Sequence, residues 1–418
     1  MNGALRHTES SHLPRSLLRP GSSSSAVRSE SSAVTGKGFR PFFVLAAVFA
    51  VAIVPLWLLV LHGTLRPSLY LDATSWHAHE MIFGFVVAVI AGFLLTAVGN
   101  WTQRETAVGL PLLALAALWF SGRLVMGFSA VLPRGLVALA DLAFLPALAV
   151  ALGRPLVAAR NRRNFVMLAI LGALFVANLR MHLEALGLAR VGSARSASLV
   201  SVDLVLLIIS IVAGRVFPTF TRNATGQASI RSIPSLDALA IGTMALVTVV
   251  DAFAPRGRVA AVLAGCAGLL AAARALHWGA RYSLQQPLLW VLHAGYAWLV
   301  LGLVLRGVGG VGIQGAGFET LATHALTVGA IGTLTLGMMA RVSLGHTGRM
   351  LVASPSMAVA FVAINLAAVA RVFVPMVAPE WYFGALVATG TLWSAAFVTF
   401  LIVHTPMLVS PRVDGRPG

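Results

Sequence analysis

Runs of about 20 apolar residues, broken by short polar stretches, repeat along this chain almost from end to end. Twelve such segments fall at about 42–61, 77–99, 108–128, 132–152, 164–186, 199–220, 236–254, 259–278, 287–305, 321–342, 355–375 and 382–404. Each is long enough, as a helix, to cross a hydrocarbon layer. The breaks collect Pro, Gly, Arg and Asn, as in Arg160-Asn161-Arg162-Arg163 and Pro255-Arg256-Gly257. Connections this short make most consecutive helices antiparallel neighbours. The pattern predicts an all-α polytopic membrane protein, about twelve helices in one bundle spanning residues 37–410. Residues 1–36, rich in Ser and Arg, have no apolar period and are expected to be a disordered tail. They lack the apolar core of a signal peptide, so the first helix is expected to remain as a span. Residues 411–418 form a second, short tail.

Composition sharpens this picture. Of 418 residues, 58% are apolar and 10% charged, with a mean hydropathy of +0.88. A soluble protein carries about a quarter charged residues, so chemistry here must lie within or between helices. The net charge of +17 does not indicate nucleic acid, because the basic residues lie in the tail and short loops. With the N-terminus inside, 19 basic residues fall on the cytoplasmic side. The other side has Arg66, Arg134, Arg190, Arg195, Arg256, Arg258, Arg306 and Arg371. Both termini are therefore expected in the cytoplasm. The one cysteine, Cys266, excludes an intrachain disulfide, a cysteine-ligated iron–sulfur cluster and covalent c-type haem attachment. Any haem must be held non-covalently.

Candidate chemistry centres on Trp76-His77-Ala78-His79-Glu80, which opens the second apolar segment. Titratable groups at membrane depth are costly and mark function by default. The predicted topology puts His77, His79, Glu80, His62, His182 and His324 near the outer face, with Asp203 and Glu319 at similar depth. His277, His293, His346 and His404 fall on the inner side. On a helix His77 and Glu80 share a face, whereas His77 and His79 lie about 200° apart and cannot aim at one point. Asn178 and His182, four apart, share a face, while Arg180 points elsewhere, towards Glu184 or an anionic group. Bis-imidazole haem ligation needs histidines from two helices, and copper accepts imidazole. His79, His182 and His324 meet that count if helices 2, 5 and 10 converge. The opposing explanation is hydrogen bonding between helices. Arg215 reads as a helix-end or interfacial anchor, and Met338-Met339 as packing. Gly329, Gly332 and Gly337 allow close helix approach or clearance for a flat macrocycle. Arg341 and His346 could serve an anionic group or anchor the helix end.

Long stretches of the chain resemble the NnrS family. They include Gly38-Phe39-Arg40-Pro41-Phe42-Phe43, Trp76 through Phe85, Gly92 through Ala97, Asn100-Trp101-Thr102 and His182 through Gly187. Gly214 through Asn223, His324 through Ala330 and Arg341 through Arg349 complete them. They run in order from residue 37. The Ser-rich tail and Gly99, where the family pattern suggests Pro, depart from it. The resemblance implies a twelve-helix protein of the bacterial inner membrane, containing haem and copper and protecting against nitric oxide. It places the family's histidines on His77, His79, His182, His324 and His346. Depth and facing favour His79 and His324 as first ligands, with Glu80 as proton-transfer group or as a partner fixing a ligand ring. Expected partners are nitric oxide or another small diatomic, the lipid bilayer and an unspecified redox partner. A proton-coupled secondary transporter and an assembly partner of a respiratory complex are the alternatives, and catalytic turnover is left open. Against the transporter stand the lack of a clear half-to-half repeat and of paired broken helices.

Overall fold

Twelve helices are long and apolar enough to cross a membrane in the computed structural model, which describes residues 33–254, 257–312 and 317–416. They are α1 (Phe39–Leu61), α2 (Ala73–Thr102), α3 (Leu110–Gly127), α4 (Arg134–Ala158), α5 (Arg162–Ala185) and α6 (Ser193–Thr225). The others are α7 (Pro234–Phe253), α8 (Arg258–Ala275), α9 (Pro287–Gly310), α10 (Gly317–His346), α11 (Pro355–Val377) and α12 (Pro379–Leu408). The described residues contain no strand. The expected tail falls outside them up to residue 32, and Ala33–Thr35 form a 3₁₀ turn with Thr35 buried.

Each helix packs on the next in sequence, as short connections require, and α1 also packs on α12. Three helices occupy the interior. The apolar windows of α2 and α6 are each 83% buried and that of α10 is 72%, against 22% for α1. Outer helices expose large apolar side chains such as Leu139 on α4, Leu269 on α8 and Val359 on α11. In a membrane these face lipid at no cost. Cys266 is exposed on α8.

Two of the three central helices widen into π-helical turns immediately after a histidine. In α2 the turn is Glu80–Val86, following His79, and in α10 it is Ala325–Gly332, following His324. Such turns free backbone groups and occur often at functional sites. The Gly84 carbonyl in the first accepts a hydrogen bond from Trp119 Nε1 at 3.0 Å. In the second, a Cβ on Gly329 would come within 2.7 Å of Trp298, and one on Gly332 within 2.5 Å of Trp393. These glycines, with Gly337 against Val291, let neighbouring side chains pack onto α10 and offer no clearance for a macrocycle.

Several arginines counted from sequence as loop residues lie inside helices. Arg306 on α9 pairs with Asp203 of α6 and Asp251 of α7. Arg274 on α8 reaches the Ser210 carbonyl, Tyr296 and Asp237. Arg341 stacks over Phe220 at 3.9 Å. Arg40, buried at the start of α1, donates to the carbonyls of Leu408 at 2.8 Å and Ser410 at 2.6 Å. It thereby caps α12, since a helix end leaves its last carbonyls without internal partners. Arg412 then returns the chain to the His346 carbonyl at 2.9 Å.

Candidate functional site

Two constellations of polar side chains stand at one end of the bundle, on opposite sides of the first turns of α2. His79 heads the first. Its Nδ1 donates to Glu80 Oε1 at 2.8 Å, while its Nε2 faces Asn178 Oδ1 at 3.0 Å and Asp141 Oδ2 at 3.2 Å. Both ring nitrogens thus meet acceptors, the arrangement of an imidazolium. Arg123 of α3 donates to both Glu80 oxygens at 2.8 Å and to Asp141 Oδ1. Asp141 Oδ2 also accepts from Asn178 Nδ2 at 2.8 Å and His182 Nε2 at 2.9 Å. Four helices, α2 to α5, are tied together by one buried carboxylate. The charges balance: the Arg123 guanidinium and the His79 imidazolium face Glu80 and Asp141. A buried ion pair is tolerated only with this degree of hydrogen bonding.

His182 completes this constellation and is held at both nitrogens. Its Nε2 donates to Asp141, and its Nδ1 lies 3.2 Å from the Tyr70 hydroxyl. Burial, partly opposed by Arg134, pushes the Tyr70 phenol up to about 12. The hydroxyl therefore keeps its proton and donates to Nδ1, leaving His182 neutral. The folded value lies above the ordinary value of about 10, so the linked stability is intact below that pH. It is lost as pH rises through the folded value. Tyr70→Phe is expected to remove this share of the alkaline loss of stability, along with about 1 kcal/mol at neutral pH. Thermal unfolding of the detergent-solubilised protein over an alkaline pH series checks it. An unchanged alkaline profile in the variant would refute it.

The oxygen of Asp141 and one nitrogen each of His79 and His182 lie within 4.8 Å of one another. Two imidazoles and a carboxylate form a nitrogen and oxygen donor set suited to a transition metal.

His77 belongs to the second constellation. Its ring stacks on Trp57 of α1 at 4.4 Å with an 11° interplanar angle. Its Nδ1 is buried and has no hydrogen-bond partner. It faces a cavity of about 250 Å³ among α1, α2, α6, α10, α11 and α12, which His324, Arg371, Glu319 and Trp393 also line. His324 Nδ1 donates to the Thr320 carbonyl at 2.7 Å, which leaves Nε2 as the lone-pair nitrogen. Arg371 Nη1 is buried without a partner.

The sequence-predicted residues therefore divide. His79, Glu80 and His182 are brought together, as are His77 and His324, but His79 and His324 do not share a site. Glu80 joins His79 and Arg123, not His77 as its helical spacing suggested; the π turn begins at Glu80, and the longer side chain swings to Arg123. Asn178 holds His79 and Asp141 and makes no hydrogen bond to His182. Glu184 accepts from the Gly192 and Ala194 backbone N–H groups and from Ser193, capping α6, and does not pair with Arg180. His346 lies at the far end of the bundle, against Phe39. Asp141 went unnoticed in the sequence, as did the pairing of Arg123. The signal that could have found both is the one that marked Glu80, an ionisable residue inside an apolar span.

A family model described as NnrS protein matches residues 33–412. The chain belongs to the NnrS family. That match covers all twelve helices and both histidine constellations. No curated protein matches the chain.

Proposed function

We propose that this chain is a haem- and copper-binding protein of the bacterial inner membrane that acts in the nitric oxide response, with its histidine end facing outward. The observation carrying this reading is the cavity between α2 and α10, where two imidazoles from different helices meet with unpaired nitrogens. His324 would hold the iron: its ring is already fixed by the Thr320 carbonyl, the pattern that orients a metal-ligating histidine. His77 stands as the partner imidazole, either second ligand or hydrogen-bonding group. Arg371, with a buried partnerless nitrogen, suits the carboxylate of a porphyrin side chain. When bound, haem supplies an iron that takes up a diatomic ligand and changes oxidation state. Trp57 and Trp393 give that space two apolar walls.

Copper in this reading sits at His79, Asp141 and His182. A monovalent ion that displaces the His79 proton leaves the buried charge balance unchanged, whereas a divalent ion adds one positive charge. Glu80 and Arg123 then act as positioning residues, since both carboxylate oxygens of Glu80 are engaged.

The test is purification from cells able to insert haem, followed by absorption spectroscopy and metal analysis. The expected result is a Soret band and bound copper, with His182→Asn losing copper and keeping haem. A folded protein without a Soret band would sink the haem assignment, and copper retained in His182→Asn would sink the copper site.

A further inference from the structure

Beside the His77–His324 cavity lies a second, of about 310 Å³, whose walls include Asp203, Arg306, Arg258, Gly312 and Glu319. The two are adjoining compartments, because Leu199, Val202, Glu319 and Thr323 line both. The second one reaches the surface at the histidine end of the bundle, where Arg258 and Gly312 are exposed.

Asp203 is the unusual group here. It is only 1% exposed. Its Oδ1 accepts from Arg306 Nη1 at 2.8 Å, while its Oδ2 is buried with no partner. Buried carboxylates normally fill their hydrogen-bonding capacity, because an unpaired one is costly. A carboxylate with one free oxygen, on the wall of a solvent-reaching compartment and one residue from the Val202 wall of the His77–His324 cavity, is placed to carry a proton. The charged groups around it are Arg306 from α9, Asp251 of α7 through Arg306, Arg258 from α8 and Glu319 from α10. Across the shared wall stand His77, His324, Arg371 and Arg195.

We propose that Asp203 is the proton-exchanging residue coupled to electron uptake in the neighbouring cavity. This rests on haem occupying that cavity. When one electron enters from a one-electron donor, Asp203 takes one proton onto Oδ2 from water in the outer compartment, and oxidation returns it. The cavity then gains no net charge, which a low-dielectric site favours strongly. Glu319 and Thr323 bridge the two compartments, and Arg306 holds the carboxyl in place. Asp203 is thus a positioning and proton-carrying residue, not one that touches the iron.

Redox titration of the purified full-length protein over a neutral pH series, with soluble mediators as electron donor, tests this. The midpoint potential is expected to fall with pH, up to about 59 mV for each tenfold fall in proton activity, the value for one proton per electron. Asp203→Asn keeps an oxygen for Arg306 but cannot exchange the proton, and is expected to flatten the slope. Asp203→Glu should retain it. A wild-type slope persisting in Asp203→Asn, or one lost only in Glu319→Gln, overturns the assignment, as does a pH-independent wild type. Absence of haem from the wild-type protein overturns the functional reading itself and is seen before any titration.

Discussion

Asp141→Asn is expected to destabilise the folded protein by about 3–5 kcal/mol, enough to make it largely unrecoverable from detergent as a monodisperse species. The side chain of Asp141 is fully buried and its two oxygens receive Arg123, Asn178, His182 and His79. An amide keeps one acceptor and turns the other position into a donor facing donors. Glu80 would then be the one anion opposite two buried cations. Removing one partner of a buried ion pair costs far more than the pair contributes as a unit. The same logic gives a second arm. Adding Arg123→Met to Asp141→Asn removes one stranded cation and should restore part of the lost stability, though each single change is damaging. Thermal unfolding of the four proteins in this cycle provides the measurement. A single-variant loss under about 1 kcal/mol, or simple additivity in the double variant, would show that the carboxylate does not organise α2 to α5.

The helix count and the placing of His77, His79, His182 and His324 at one end were legible because both depend on local composition and on alternating direction alone. The facing of His77 and His79 was legible too: a 200° separation sends one to each constellation, one among α2 to α5 and the other into the cavity beside α10. What could not be read was pairing. Asp141 is one acid in an apolar helix, and nothing in its neighbourhood says that α3 brings Arg123 and α5 brings Asn178 to it. Arg306 was assigned to a loop because charge near a helix end favours that reading, whereas Asp203 and Asp251 pair with it inside the bundle. The π turns were also hidden, since they depend on packing: Gly84 lies under Phe49, and Gly329 and Gly332 lie under Trp298 and Trp393.

The two cavity histidines can be separated by substitution. His324→Gly is expected to lower haem content at least about tenfold, because it removes the imidazole whose tautomer is already set by a backbone carbonyl. Adding free imidazole to this variant should restore the Soret band, since the space of the lost ring remains in a cavity already open beside it. His77→Ala should keep haem, because its Nδ1 has no partner to orient the ring as a ligand, and the Trp57 stack would hold it as a hydrogen-bonding group for a diatomic. In that variant the expected change is faster release of nitric oxide, by about tenfold if one hydrogen bond near 1.4 kcal/mol is lost. His79→Gln provides the contrast: it disturbs the Asp141 network, so stability falls while any folded protein retains haem. Should haem instead vanish in His79→Gln and persist in His324→Gly, the cofactor belongs to the α2–α5 constellation and the assignment of the two sites must be exchanged. The outcome turns on which imidazole still has a lone pair to give. In this structure both His79 nitrogens face carboxylate and amide oxygens, so a metal binds there only by displacing a proton, whereas His324 has one nitrogen already free.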